Sequence, residues 1–261
     1  MLRIHIGEND DKRRIWRYLD FPRFLALLEN KAIHFSHVSS FEDRYDGMFN
    51  CLNADDFYDI TDEGKIIRID SSSLDPRSSE NSAKFKEFLG RNHQTWLNAT
   101  GVSCWRIAEG ESHAMWRAYL KSDEGVAIES TVDNLIRAVS PGDYKLAIGK
   151  VRYIDYSQEK IPIDNLLNAF FYKNIYFEHE KELRLICYIL NERMPGPVPL
   201  ENPQSIPKNG VDLPVDLSFL ITAIYISPYA ASWFGDIVAA VAKRFALQVP
   251  VNTSVIKLRK I

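Results

Sequence analysis

The stretch Tyr172–Tyr188, YKNIYFEHEKELRLICY, decides how the rest of the chain is interpreted. From Leu185 onward the residues are apolar almost without interruption, which predicts a buried strand. We expect this strand to begin near Lys181. Residues two apart on a strand share a face, so Glu182 and Arg184 should point one way and the leucines between them into the core.

Upstream of this stretch, apolar residues recur at the spacing of a helix. They predict a helix that leads into the strand, and they are Ile163, Leu166, Leu167, Phe170 and Phe171.

Three charged residues at the start of the strand, Glu182, Glu180 and Arg184, are the candidate catalytic residues. An arginine two residues from a glutamate can hold that carboxylate ionised and fix its rotamer. The alternative is an ion pair at a solvated strand edge, which would stabilise the fold by only ~0–1 kcal/mol. The sequence leaves both interpretations open, because structural ion pairs also form such charge clusters.

The composition is that of a globular protein: 261 residues, 46% of them hydrophobic and 26% charged. A net charge of -3 gives no bulk reason to expect nucleic-acid or membrane binding, although a local basic patch stays open. The three cysteines are widely separated, which favours a reducing compartment. The sequence has neither a signal-peptide core nor an apolar run of about 18 residues, so we expect a cytoplasmic protein without a membrane span.

Strand-like and helix-like segments alternate without the regular rhythm of a parallel α/β fold. The sequence therefore predicts an α+β fold, a single domain over residues 1–261 with a mixed β-sheet flanked by helices. Residues 51–82 are polar and acidic and predict an exposed insertion. Residues 191–217 hold six of the 12 prolines and predict a long irregular loop.

Aromatic residues gather in two short segments in the middle of the chain. Trp105 ends a predicted strand, and Trp116 and Tyr119 fall on one side of a predicted helix over residues 111–120. Such residues serve either as core or as the wall of a pocket for a flat ligand ring.

The order of several segments resembles the bacterial domain of unknown function 2971 family. These segments are FLALLENKAIHFSHVSSFEDRYDG at 24–47, SCW at 103–105, MWRAY at 115–119, GVAI at 125–128 and FEHEKELRLI at 177–186. That family usually has Asn-Asp-Pro at the turn where this chain has Glu42, Asp43 and Arg44. The resemblance implies a cytoplasmic bacterial protein and brings no settled activity.

More distantly, the chain is similar to ADP-ribosyltransferases. In those enzymes a first strand carries Arg or His, a later strand Ser or Tyr, and a last strand is led by Glu. By position, Arg17 and Ser103 match the first two, and Glu180 or Glu182 matches the third. The Ser-Thr-Ser triplet of those enzymes is absent, and the segment around Ser103 reads GVSCW.

This similarity implies that NAD is a substrate and that the protein acts as a toxin or phage-defence effector. The pyrophosphate would lie near Arg17 and the nicotinamide against aromatic rings, with a glutamate on the ribose 2′-hydroxyl. The candidate substrate-binding residues are Arg17, Tyr18, Ser103, Trp105, Trp116 and Tyr119.

Two other functions stay open. A nuclease or other nucleotide-acting enzyme would gather carboxylates around a metal ion, and Asp43, Asp46, Glu180 and Glu182 are the candidates. A non-catalytic sensor or partner-binding module would instead have an aromatic pocket without convergent charges. No resident metal or cofactor is predicted, and nucleic-acid and protein partners are left open. An ADP-ribosyltransferase-like enzyme would instead place Arg17, Ser103 and both glutamates in one cleft.

Overall fold

A computed structural model gives the fold. It describes residues 1–43, 45–49, 57–60, 66–69, 95–162, 165–189 and 205–257. The strands within these residues are β1 (Leu2–Ile4), β2 (Arg14–Asp20), β3 (Ala32–His37), β4 (Phe57–Ile60), β5 (Ile66–Ile69), β6 (Thr100–Ile107), β7 (Gly125–Thr131), β8 (Lys145–Lys150), β9 (Arg152–Ile154), β10 (Tyr172–Asn174), β11 (Glu182–Tyr188), β12 (Val211–Pro214), β13 (Ala223–Ile226) and β14 (Val251–Thr253).

Helices cover both faces of the main sheet, which ten of these strands form. The α-helices are α1 (Phe21–Asn30), α2 (His113–Tyr119), α3 (Val132–Ala138), α4 (Leu217–Leu220) and α5 (Ser232–Arg244), and residues 95–98 are also helical. Short 3₁₀ helices span Glu8–Asp10, Val38–Ser40, Leu166–Phe170 and Ile175–Glu180. None of the described helices is long and apolar enough to cross a membrane.

Ten strands form one mixed sheet. Eight follow the order β1-β8-β11-β6-β2-β7-β13-β14, and β3 pairs with β6 while β12 pairs with β3. The β1–β8 and β13–β14 pairs are parallel, and β11 runs antiparallel to both of its neighbours. This architecture confirms the predicted α+β fold with a mixed sheet. It also confirms that the Leu185 run is an interior strand, since β11 lies between β6 and β8.

Strand β6 is the point at which the sheet divides. Its first half pairs with β3, through Val102 and Ser36, and its last residues pair with β2, through Arg106 and Trp16. Neither register includes residues 103–105. The edges of β2 and β3 therefore diverge from the middle of β6, and a cleft opens between them.

The alternation predicted for β11 is confirmed. Leu183 and Leu185 belong to the main hydrophobic core, which the helices α1, α3 and α5 cover. Ile186 faces the other side, in a second cluster with Phe170 and Phe171. Glu182 and Arg184 are 3% and 0% exposed, so the interpretation of a solvated strand edge is wrong.

Local capping explains where α1 begins and ends. The Asp20 side chain accepts a hydrogen bond from the backbone N–H of Arg23 at 3.0 Å, and Pro22 occupies the first turn. Lys31 ends the helix in the left-handed conformation, with φ of 46°. The helix thus returns the chain into β3 beside the cleft.

Two predicted elements differ in the structure. The helix expected before β11 is a 3₁₀ helix over Leu166–Phe170, which begins at the Asn165 cap and ends before β10 pairs with β9, and Ile163 lies outside the described residues. Part of the expected irregular loop over 191–217 is β12, which pairs with β3, and the segment 191–204 lies outside the described residues. Of the predicted insertion over 51–82, the antiparallel pair β4–β5 is described.

Gly149 of β8 provides a test of the packing beneath β11, where it lies opposite Arg184. A Cβ at this position would lie 2.3 Å from the carbonyl oxygen of Ile4 and 2.8 Å from the Phe171 ring. We therefore expect Gly149→Ala to lower the free energy of unfolding by about 1–3 kcal/mol, measured by urea denaturation. Gly110→Ala is the control, since a Cβ there meets nothing within 4 Å. Equal losses in the two variants would contradict this packing.

Candidate active site

The cleft between β2 and β3 has a volume of about 600 Å³, which is in the range of small-molecule sites. Its walls come from both diverging strands, from the middle of β6, from α2 and from the residues around the start of β11. Seven of the predicted catalytic and substrate-binding residues line it: Arg17, Tyr18, Trp105, Tyr119, Glu180, Glu182 and Arg184. The nuclease candidates Asp43 and Asp46 line it as well. The structure thus brings together residues that are far apart in the sequence.

Arg17 spans the split in the sheet. Its Nη1 donates to the Ser103 hydroxyl at 2.6 Å, and its Nη2 donates to the His34 carbonyl oxygen at 3.0 Å. The guanidinium carbon lies 5.6 Å from the centre of the Trp105 ring. Ser103 therefore contributes by holding Arg17, and the guanidinium is fixed between β6 and β3.

Arg17 also brings a positive charge to the cleft. Among the residues that the structure describes, no carboxylate forms an ion pair with it, and Asp212 acts only at longer range. Burial lowers the pKa of Arg17 to about 10, so the guanidinium still carries its charge at neutral pH. A fixed cation without a carboxylate partner suits an anionic group of a ligand.

Arg184 organises the acidic end of the cleft. It donates to both carboxylate oxygens of Asp46, with Nη2 at 2.8 Å from Oδ2, and its Nε donates to Glu182 Oε2 at 2.5 Å. Its Nη1 also donates to the Phe170 carbonyl oxygen at 2.9 Å. Three separate parts of the chain therefore meet on one buried guanidinium.

Lys173 of β10 extends this network to Glu180. Its ammonium donates to Glu182 Oε1 at 2.8 Å and to Glu180 Oε2 at 2.5 Å. The Nζ atom also lies 4.4 Å from the centre of the Phe177 ring. The result is a continuous ion-pair chain, in the order Asp46, Arg184, Glu182, Lys173 and Glu180.

The two glutamates at the start of β11, Glu180 and Glu182, differ in pKa and in exposure. Burial opposes ionisation of Glu182, but Arg184 and Lys173 outweigh it and hold the pKa of this carboxyl well below its usual range. Burial and the Glu182 carboxylate raise the pKa of Glu180 to about 8. The Glu180 side chain is 17% exposed against 3% for Glu182. Glu180 is thus the carboxyl that a ligand reaches more easily.

The predicted aromatic residues divide into two groups. Trp105 and Tyr119 line the cleft, and Phe177, which the sequence analysis missed, lines it as well. Trp116 is 0% exposed, packs edge-on against Tyr18 and does not line the cleft. Its indole N–H donates to Glu111, so the substrate contact predicted for Trp116 is not what this side chain makes.

Lys173 is the main residue that the sequence analysis missed. A signal was present, because this lysine stands in FFYKNIYF, where apolar and aromatic residues surround it. A lysine in such a segment is buried only when a carboxylate pairs with it. Cys104 was missed as part of the cleft for a different reason, since its place follows from the register of β6 opposite Arg184.

The carboxylates proposed for a nuclease do not form a metal cage. Arg184 lies between Asp46 and Glu182, and Lys173 lies between Glu182 and Glu180. In the parts of the chain that the structure describes, no group of three or more His, Cys, Asp or Glu side chains is arranged to hold a metal ion.

Comparisons with known proteins give two matches. The model of the family "Protein of unknown function (DUF2971)" matches residues 115–185, from α2 into β11, which confirms the resemblance over that segment. A solved structure of Thermus sp. 2.9 DarT in complex with NAD+ is distantly similar, with a TM-score of 0.39 and 9% sequence identity over 93% of this chain and 96% of that chain. No curated protein matches the sequence.

The buried network predicts a large cost for the loss of Arg184. We expect Arg184→Met to lower the free energy of unfolding by about 3–5 kcal/mol, because it leaves the buried Asp46 carboxylate without this partner and Glu182 with Lys173 alone. Urea denaturation at neutral pH measures the change. Arg137→Met is the control, since its pair with Asp133 is about half exposed on both sides, at 53% and 46%, and such pairs contribute about 0–1 kcal/mol. A loss no larger than that of the control would contradict the network.

Proposed function

We propose that the cleft binds NAD and that the protein is an NAD-using enzyme of the ADP-ribosyltransferase-like type. One observation carries the proposal: Arg17, Glu180 and Glu182 line a single cleft, with Ser103 hydrogen-bonded to Arg17. The convergent charges disfavour the alternative of a binding module with a purely aromatic pocket. The cations inserted between the carboxylates disfavour the nuclease alternative.

The two charged ends of the cleft suit two parts of NAD. Arg17 offers N–H donors and a charge that no carboxylate of the described residues pairs with, which fits the pyrophosphate. Trp105 and Tyr119 offer ring faces and edges for the nicotinamide. The carboxylates around Glu180 then lie where a ribose hydroxyl needs an acceptor.

The reaction breaks the bond between the ribose C1′ and the nicotinamide nitrogen. The bonding electrons leave with nicotinamide, and positive charge develops on the ribose as an oxocarbenium-like state. A carboxylate that accepts a hydrogen bond from the 2′-hydroxyl stabilises this charge. We assign that contact to Glu180, the more accessible carboxyl, with Glu182 and Arg184 fixing its surroundings. The acceptor, water or a nucleophile, then adds to C1′ and releases a proton.

A toxin or phage-defence role for a bacterial cytoplasmic protein stays a prediction from the sequence. Consumption of NAD, or modification of a cellular acceptor, would slow the growth of cells that express the protein. Growth arrest on expression, lost in the variants that lose the reaction, would support this role.

The first activity test uses both glutamates. We expect purified protein to release nicotinamide from NAD in a bacterial lysate, and Glu180→Gln to lower the rate by about 10²–10³-fold because the developing charge loses its carboxylate. Glu182→Gln should lower it as well, since both cations lose a partner. Chromatography measures nicotinamide, and circular dichroism checks the fold. Glu178→Gln, an exposed residue of the same 3₁₀ helix, is the control. If Glu180→Gln and Glu182→Gln both keep the rate, the assignment is wrong.

The second test addresses binding. Arg17→Met should weaken NAD binding by about tenfold or more, since a charge-assisted hydrogen bond is worth about 1.5–3 kcal/mol. Calorimetric titration with NAD measures the dissociation constant. Arg14→Met is the matched control, because Arg14 lies on the same strand, is 52% exposed and does not line the cleft. Unchanged affinity in Arg17→Met would remove Arg17 from the NAD site.

A further inference from the structure

Lys173 has a position that the proposed reaction does not yet use. It is 7% exposed, lines the cleft and lies between the two carboxylates of Glu180 and Glu182. Its ammonium has three N–H donors, and two of them are directed at these carboxylates. The Phe177 ring covers another side of the ammonium.

The backbone holds Lys173 in this position. Strand β10 pairs with β9 in parallel register, with Lys173 opposite Tyr153. The Tyr153 hydroxyl in turn accepts a hydrogen bond from the backbone N–H of Glu182 at 2.7 Å. The same two short strands therefore place the lysine and the first residue of β11, so the spacing between the ammonium and the carboxylates is fixed.

Charge balance explains why this cation matters. Arg184 already pairs with Asp46 and Glu182, so it leaves no charge for Glu180. Without Lys173, two carboxylates would stand side by side in a buried site. Ionisation of Glu180 beside Glu182 would then be opposed still more strongly, because like charges in such a site repel each other.

We propose that Lys173 is a positioning residue, whose ammonium favours the ionised form of Glu180 beside Glu182 and keeps this carboxyl at the cleft. The inference rests on the proposed function in one respect, since the ionised carboxylate is the form that the ribose hydroxyl and the developing charge require. The arrangement itself can be measured without NAD.

Burial and the Glu182 carboxylate place the pKa of Glu180 at about 8, which is within the pH range of a titration. The charged groups that act on Glu180 are Lys173 of β10 and Glu182 of β11, and Arg184 and Asp46 continue the ion-pair chain beyond Glu182. Burial raises the pKa of three further neighbours, so they stay neutral: Tyr119 of α2, Tyr153 of β9 and Cys104 of β6. Lys173 lowers the pKa of Glu180, against burial and the Glu182 carboxylate. Loss of Lys173 should therefore raise it further.

The activity test compares Lys173→Met with Lys173→Arg. Because the ionised carboxylate is the active form, kcat should rise with pH through the titration of Glu180. In Lys173→Met this rise should move by at least about one pH unit to higher pH, with kcat at neutral pH at least about tenfold lower. KM should change little, because Arg17 lies at the other end of the cleft. Lys173→Arg keeps the charge, so its pH profile should match that of the wild-type protein. If Lys173 had only a structural role, the pH profile of Lys173→Met would also stay in place.

Carbon-13 NMR of glutamate-labelled protein decides the inference without NAD. The Glu180 resonance is identified by its loss in Glu180→Gln, and His179→Gln removes the exposed imidazole next to it. A higher Glu180 midpoint in Lys173→Met supports the inference, and an unchanged midpoint overturns it. A shifted midpoint without nicotinamide release would support Lys173 and overturn only the proposed function. If Lys173→Met does not fold, the wild-type protein gives the answer. In protein labelled with carbon-13 lysine as well, the Lys173 Cε resonance must then follow the Glu180 midpoint, and its failure to do so overturns the inference.

Discussion

Arg184 carries a full positive charge in the interior, where an unpaired ion would cost several kcal/mol. The chain meets this cost by directing three remote acceptors onto one guanidinium: Asp46 after β3, the Phe170 carbonyl oxygen before β10, and Glu182 at the start of β11. These contacts fix the loops that frame one end of the cleft. The ion-pair chain continues through Lys173 to Glu180, so the position of the accessible Glu180 carboxyl depends on the buried Glu182 carboxyl.

The division of the sheet at β6 creates the cleft that this ion-pair network borders. Because β2 and β3 pair with different ends of β6, the middle of β6 has no strand partner on that edge and borders the cleft. Arg17 crosses the opening and separates its cationic end from the acidic end around Glu180. A ligand with an anionic group at one end and hydroxyl groups at the other matches this polarity. The proposed NAD site therefore follows from a strand register as much as from side-chain chemistry.

Periodicity predicted the elements that depend on local sequence. The alternation of β11 and the bounds of α1 follow from apolar spacing and from the Asp20 cap. The long-range partner of Glu182 could not be predicted, because Lys173 comes from another strand, β10. Its local partner Arg184 could be predicted, but only burial distinguishes this pair from a surface ion pair. The sequence predicted that Trp116 and Tyr119 share one side of a helix, but not that Trp116 packs against Tyr18 while Tyr119 lines the cleft. A proline-rich composition likewise hid β12, which forms at a sheet edge beside β3, where a proline is tolerated.

The most direct test of the account is a crystal structure of the Glu180→Gln protein with NAD bound, since this variant should hold NAD without cleaving it. The account predicts NAD in the cleft between β2 and β3, with its pyrophosphate within hydrogen-bond distance of Arg17 and its nicotinamide-bearing ribose beside position 180. An empty cleft at saturating NAD, or NAD bound elsewhere on the molecule, would contradict it.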